Sequence, residues 1–188
     1  MTVIASDDAY ETAGLLPALR SDRVFGQGAT VSDIDSGVFR NVLGHFATGV
    51  TTVTAVNDGQ PVGMAIGSFT SVSLDPPLVA FLPGKESVSW DEIRASGSFC
   101  VNVMGQDQME VCGVMASRSD DKFADVEWSP GPSGSPIIAG SIAYIDCEIE
   151  AIHDGGDHDI VVGRVVELEV LESKEPLLFF QGNYGTFG

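Results

Sequence analysis

The chain has 188 residues, 44% of them hydrophobic and 19% charged, which is enough for one packed domain and too apolar for wholesale disorder. Its 27 acidic residues against 9 basic ones leave a net charge of -18, which argues against nucleic acid or an anionic membrane surface as a partner. No apolar run reaches the roughly 18 residues of a membrane span, and the opening MTVIASDDAYETAG is no secretory signal because no basic region precedes its short apolar stretch; a cytoplasmic protein is expected.

Residues 1–32 are small and polar without sustained periodicity and read as an N-terminal arm; residues 33–188 read as the domain. Ser32-Asp33 is a candidate N-cap, with Ile34, Val38, Val42, Leu43 and Phe46 at helical spacing behind it and Gly49 as the stop. Residues 50–56 (VTTVTAV) are rich in β-branched side chains, and Asn57-Asp58-Gly59 is a hairpin signal. A second strand over 62–72, broken by Gly63 and Gly67, leads into the rigid turn Leu74-Asp75-Pro76-Pro77 and a short buried strand over 78–82. The pattern then predicts a helix over 87–95, a strand over 99–104, a helix over 107–116 and an irregular Pro/Gly/Ser stretch over 129–136. Two long strands, 141–152 and 160–171, flank Asp154-Gly155-Gly156-Asp157, and a last strand over 177–180 precedes a short tail.

About seven strands joined by hairpin turns, with only short helices, predict a mainly β protein: a closed or half-closed antiparallel barrel. No Gly-x-Gly-x-x-Gly follows a strand, so the usual dinucleotide-binding architecture is absent. Cys100, Cys112 and Cys147 are widely spaced, and the three histidines form no metal-ligand pattern. Cys100 and Cys147 read as core thiols, and His45 and His153 as structural.

Three segments carry more than packing. The strand Gly67-Ser68-Phe69-Thr70-Ser71-Val72-Ser73 combines hydroxyls with a glycine and could offer backbone groups to the edge of a flat heterocycle; taken alone it reads more readily as an edge strand before a Pro-Pro turn, since such strands are common. Lys85-Glu86-Ser87-Val88-Ser89-Trp90 at a helix start could hold a phosphate, or Ser87 could simply be an N-cap. His158, beside glycines at a hairpin tip, could lean over a ligand or face solvent.

In order along the chain, SFTSVSLDPPLV, KESVSW, FCVNV, DKF, SPIIAGSIAYIDCEI, GGDHDIVVGRV and PLLFFQGNYG resemble the flavin reductase-like family of FMN-binding split barrels. That family includes the reductase components of two-component monooxygenases, and the resemblance covers roughly residues 34–187. It implies a Greek-key split barrel with short flanking helices, a homodimer, FMN or FAD as the flavin, and NADH or NADPH as hydride donor. It also implies a separate monooxygenase that receives the reduced flavin. By position it would set Ser68, Phe69 and Thr70 along the isoalloxazine ring, and Ser87, Ser89 and Lys85 on the flavin phosphate. Asn102 would lie near the flavin, Lys122 and Phe123 would close over the phosphate or ribityl side, and Tyr184 would border the same cleft. His158 would contact the nicotinamide. Ala65 and Gly67 stand where many relatives carry hydroxyl or amide side chains, which leaves ring contacts there to the backbone. Gln181 stands where many carry a base.

The reaction implied is hydride transfer from nicotinamide to flavin, with the cofactor supplying the difficult chemistry. Two other classes share the barrel: a non-enzymatic flavin or haem carrier, which needs no nicotinamide contact, and a pyridoxamine-phosphate oxidase-like enzyme, which needs a cluster of bases.

Overall fold

A computed structural model describes residues 34–119 and 121–187; the arm and the Ser32-Asp33 cap lie outside them. Helix α1 (Ser36–Leu43) ends sooner than expected, because Gly44 follows and its N–H closes the last turn on the Arg40 carbonyl at 2.8 Å. Gly49, the expected stop, instead lies in the short strand β1 (Thr48–Gly49). Strands β2 (Thr51–Asn57) and β3 (Gln60–Ile66) form the expected hairpin, whose turn uses positive φ at Asp58 (48°) and Gly59 (78°).

The single strand expected over 62–72 is two. After β3 the chain leaves the sheet at Gly67-Ser68-Phe69 and returns as β4 (Thr70–Leu74), paired with β5 (Pro77–Phe81). Helix α2 (Val88–Ser96) and strand β6 (Ser98–Val103) follow, then α3 (Met109–Ala116). The stretch expected to be irregular contains a small hairpin, β7 (Trp128–Pro130) with β8 (Pro136–Ile138). The long pair β9 (Ala143–Gly155) and β10 (His158–Val170) precedes β11 (Leu177–Phe180). The expected tail forms β12 (Asn183–Thr186), turned by Gln181 (φ 49°) and Gly182 (φ 79°).

Seven strands make one antiparallel sheet in the order β3-β2-β6-β9-β10-β5-β4, while β1-β11-β12 form a second. The two edges of the large sheet, β3 and β4, are consecutive in the chain. Laid flat, seven strands would hold them about 29 Å apart, yet the four Cα steps from Ile66 to Thr70 reach at most about 15 Å. The sheet therefore curls into a barrel. Val53, Phe99, Val101 and Val161 fill it, and Trp90 and Ile93, one turn apart on α2, join that core. Phe81 packs edge-on between Trp90 (5.7 Å) and Phe99 (5.1 Å). Among the described residues no helix is long and apolar enough to cross a membrane.

Candidate functional site

A cavity of about 910 Å³ opens where the barrel closes. It is lined by the Gly67-Ser68-Phe69-Thr70 link and by the end of α1 and the residues after it, with Leu43, Gly44 and Phe46. Val50 and Met104 also line it, with Leu177 and Phe179 of β11. The volume suits a small-molecule ligand, for which about 300–1,000 Å³ is usual. Glycines 44, 49 and 67 all stand on the lining, and a Cβ on Gly49 would meet nothing within 4 Å, so backbone is open to the cavity there. Apolar walls with bare backbone between them fit a flat heterocycle: its faces can stack and its polar edge can meet N–H and C=O groups.

The Ser68 hydroxyl is committed to the barrel. It accepts from the Leu82 N–H at 3.0 Å and donates to the Leu82 carbonyl at 3.3 Å. Phe69 packs partly against the main core, and Thr70 is exposed. The three residues thus line the cavity as a wall, with Ser68 acting as its fastening.

The same stretch of chain leads from the cavity to the β9–β10 tip. Leu82 lines the cavity, and two residues later Gly84 bridges His158 in antiparallel fashion. The His158 Nδ1 lies 2.7 Å from an Asp157 carboxylate oxygen, and that hydrogen bond is the main influence holding the Asp157 carboxyl below its ordinary range. A ring whose Nδ1–H is given to the carboxylate leaves Nε2 as an acceptor, and that atom lies beside Gly84, 3.8 Å from where a Cβ there would stand. The tip is fastened to residues 83–85 by two backbone bonds, Lys85 N–H to Asp157 O and Asp159 N–H to Pro83 O, both 3.0 Å. Asp159 is buried and accepts from Trp90 Nε1 at 2.9 Å.

Lys85 belongs to this tip rather than to the helix start. Its ammonium donates to the Asp154 carboxylate and, at 2.7 Å, to the Gly156 carbonyl; the Asp154 hydrogen bond is the first cause of its raised pKa. Ser87 is the N-cap of α2, accepting from the Trp90 N–H at 3.3 Å. Ser89 accepts at 3.0 Å from Lys122, whose ammonium also donates to the carbonyls of Gly63 (2.9 Å) and Met115 (3.0 Å). Burial pushes the Lys122 pKa down, with Glu92 acting the other way. The structure thus joins Ser89 to Lys122 and Lys85 to the His158 turn, but gives Lys85, Ser87 and Ser89 separate partners.

Asn102 and Phe123 are interior. Asn102 is fully buried; its amide donates to Thr54 Oγ1 (3.1 Å) and Pro136 O (3.2 Å) and accepts from the Ile138 N–H (2.8 Å), tying β6 to β8. Phe123 is buried with Met115 and Ile138. Tyr184 is half-buried behind the cavity wall, edge-on to Phe179 at 5.5 Å, and burial raises its pKa. The sequence reading missed the α1 side of the cavity altogether. Its signal was the break in helical period between Gly44 and Gly49, where apolar residues continue without a helix to bury them.

The chain matches the flavin reductase-like domain over residues 43–188. It is 51% identical over 162 residues to the reductase subunit HsaB of a flavin-dependent monooxygenase from Rhodococcus jostii, covering 86% of this chain and 83% of the relative. Nitrilotriacetate monooxygenase component B from Mycobacterium thermoresistibile superposes with a TM-score of 0.80 at 50% identity, covering 84% of this chain and 89% of that one. An NADH:FAD oxidoreductase from Streptomyces globisporus, solved with NAD and FAD fragments, superposes at 0.78 with 40% identity, over 82% and 93% of the two chains.

Proposed function

The chain belongs to the flavin reductase-like family, and from that premise we propose how its site performs the family's reaction. It is an NADH-dependent flavin reductase that reduces FMN or FAD and supplies reduced flavin to a separate monooxygenase component. When bound, the flavin supplies the hydride-accepting ring, and the nicotinamide of NADH is the donor.

The residues of this chain position and shield. The 67–70 wall and the Leu43 and Phe46 side offer a flat ring two apolar faces and keep water from it. The Gly67 backbone stands in for the hydroxyl or amide contacts of many relatives. His158, oriented by Asp157, turns Nε2 to the nicotinamide carboxamide and so holds the hydride donor against the ring. No side chain has to move a proton for this chemistry, and holding two rings in contact is where the rate gain arises. The observation that carries the reading is the meeting of the two parts over three residues: Ser68 is bonded to Leu82, and His158 is bridged to Gly84.

His158→Ala should raise the KM for NADH, or lower kcat, by about ten- to a hundredfold, the loss of one positioning hydrogen bond. Flavin affinity should change less than about twofold. Steady-state kinetics with each substrate varied, beside a flavin titration, checks this; collapse of flavin binding with NADH kinetics intact would reverse the assignment of the two ligands. An absence of NADH oxidation by the wild type with any flavin would favour the carrier.

A further inference from the structure

On the proposed reading the site holds anionic nucleotides on a chain of net charge -18, so a local cation would help hold their phosphates against the field of the whole protein. Of the described Lys and Arg side chains, five already have oxygen partners. Lys85 is held by Asp154, Arg94 lies 4.0 Å from Asp159, and Lys122 has three oxygens. Arg164 makes two 2.8 Å bonds to Glu150, and Lys174 reaches Asp107 at 3.1 Å. Arg118 lies in the loop after α3, none of whose residues line the cavity.

Arg40 remains, and its place is particular. It sits in the last turn of α1, three and four residues before Leu43 and Gly44, the cavity-lining residues that share its side of the helix. Its charge also contributes to holding down the Asp157 carboxyl of the β9–β10 tip. Helix α1 buries none of its residues, so the side chain has no packing duty.

We propose that Arg40 is the anion-binding residue of this site, its guanidinium taking phosphate oxygens of a nucleotide ligand at the cavity mouth. This rests on the reading above that the cavity takes flavin and nicotinamide nucleotides. A planar fork of donors matches two phosphate oxygens at once, which a lysine does only as a point charge. The flavin phosphate and the pyrophosphate of NADH present the same chemistry, and either could be the one held.

The test compares full-length wild type, Arg40→Gln and Arg40→Lys in three measurements: titration with FMN, titration with riboflavin, which lacks the phosphate, and steady-state kinetics in NADH. Arg40→Gln should weaken a phosphate-bearing ligand by about tenfold, Arg40→Lys should recover part of the loss, and riboflavin affinity should stay unchanged. Weaker FMN binding alone assigns Arg40 to the flavin phosphate; a higher KM for NADH alone assigns it to the dinucleotide. Equal weakening of FMN and riboflavin, or no change in any ligand, overturns the proposal. A wild type that binds no flavin and oxidises no NADH would instead overturn the functional reading, whatever the variants do.

Discussion

Three thiols are sealed in the protein. Cys100 and Cys147 lie on the neighbouring strands β6 and β9, and Cys112 on α3, all without solvent exposure. Burial pushes their pKa values up, to about 11 for Cys112 and about 12 for Cys147, with Asp146 adding to the rise at Cys100 and Cys147. Because the folded values exceed the unfolded value of 9.0, the stability each thiol contributes is complete below that pH and is lost as the pH climbs through the folded value. The melting temperature should therefore fall between pH 9 and pH 11, and fall less in Cys147→Ala; an identical fall in that variant would place the alkaline limb elsewhere. At pH 8 a thiol reagent should label none of the three until denaturant is added. Cys100 and Cys147 were legible from their apolar strands, whereas Asn102 was not. A polar residue in a strand reads as a ligand contact or an interior clip with equal ease, and the groups that decide it, Pro136 and Ile138, lie more than thirty residues away. Lys85 had the same difficulty: its neighbours in sequence suggested a phosphate, but its partners come from a hairpin some seventy residues later.

Among the elements, the β9–β10 tip is the one on which the role proposed for His158 depends. Backbone bonds hold it to residues 83–85, Asp159 anchors it under Trp90, and Lys85 grips the carbonyl of Gly156, two residues before His158. Lys85→Met should raise the KM for NADH by about three- to tenfold, a modest effect because the pair is solvent-exposed. Flavin affinity should hold, and Lys85→Arg should restore most of the loss. In a His158→Ala background the same change should add nothing, since both act through one contact. Weakened flavin binding with unchanged NADH kinetics would return Lys85 to the flavin phosphate. Most elements were readable from periodicity and turn chemistry: the Asn57-Asp58-Gly59 hairpin, the Ser87 cap and the long β9–β10 pair all follow local rules. The misses were non-local. Gly67 marked a break in the strand over 62–72, but hydroxyl and β-branched residues resume after it, and nothing local says that the chain there crosses from one sheet edge to the other. The β11–β12 turn uses Gln181-Gly182, a pair without the usual Asn-Gly signature.

For the whole molecule, apolar surface points to assembly. Val38, Phe39 and Val42 of α1 are more than half exposed, as are Val166, Leu168 and Val170, which alternate along the outer part of β10. We propose that a second copy of the chain covers them, since a lone protein seldom leaves such patches to water. Sedimentation at micromolar concentration should give twice the chain mass, and a mass of one chain would sink the idea. The barrel class was legible because strand number and hairpin spacing are properties of the whole sequence, whereas the cavity was not, because it exists only once the sheet has closed. That closure has a consequence for how such a protein can diversify. The three-residue link that draws β3 and β4 together is also a wall of the cavity, so any insertion there loosens the barrel and widens the site in one stroke. The part of the lining on α1 carries none of the core. Lineages that acquire new ligand preferences should therefore record them in the α1 side and leave the length of the link untouched.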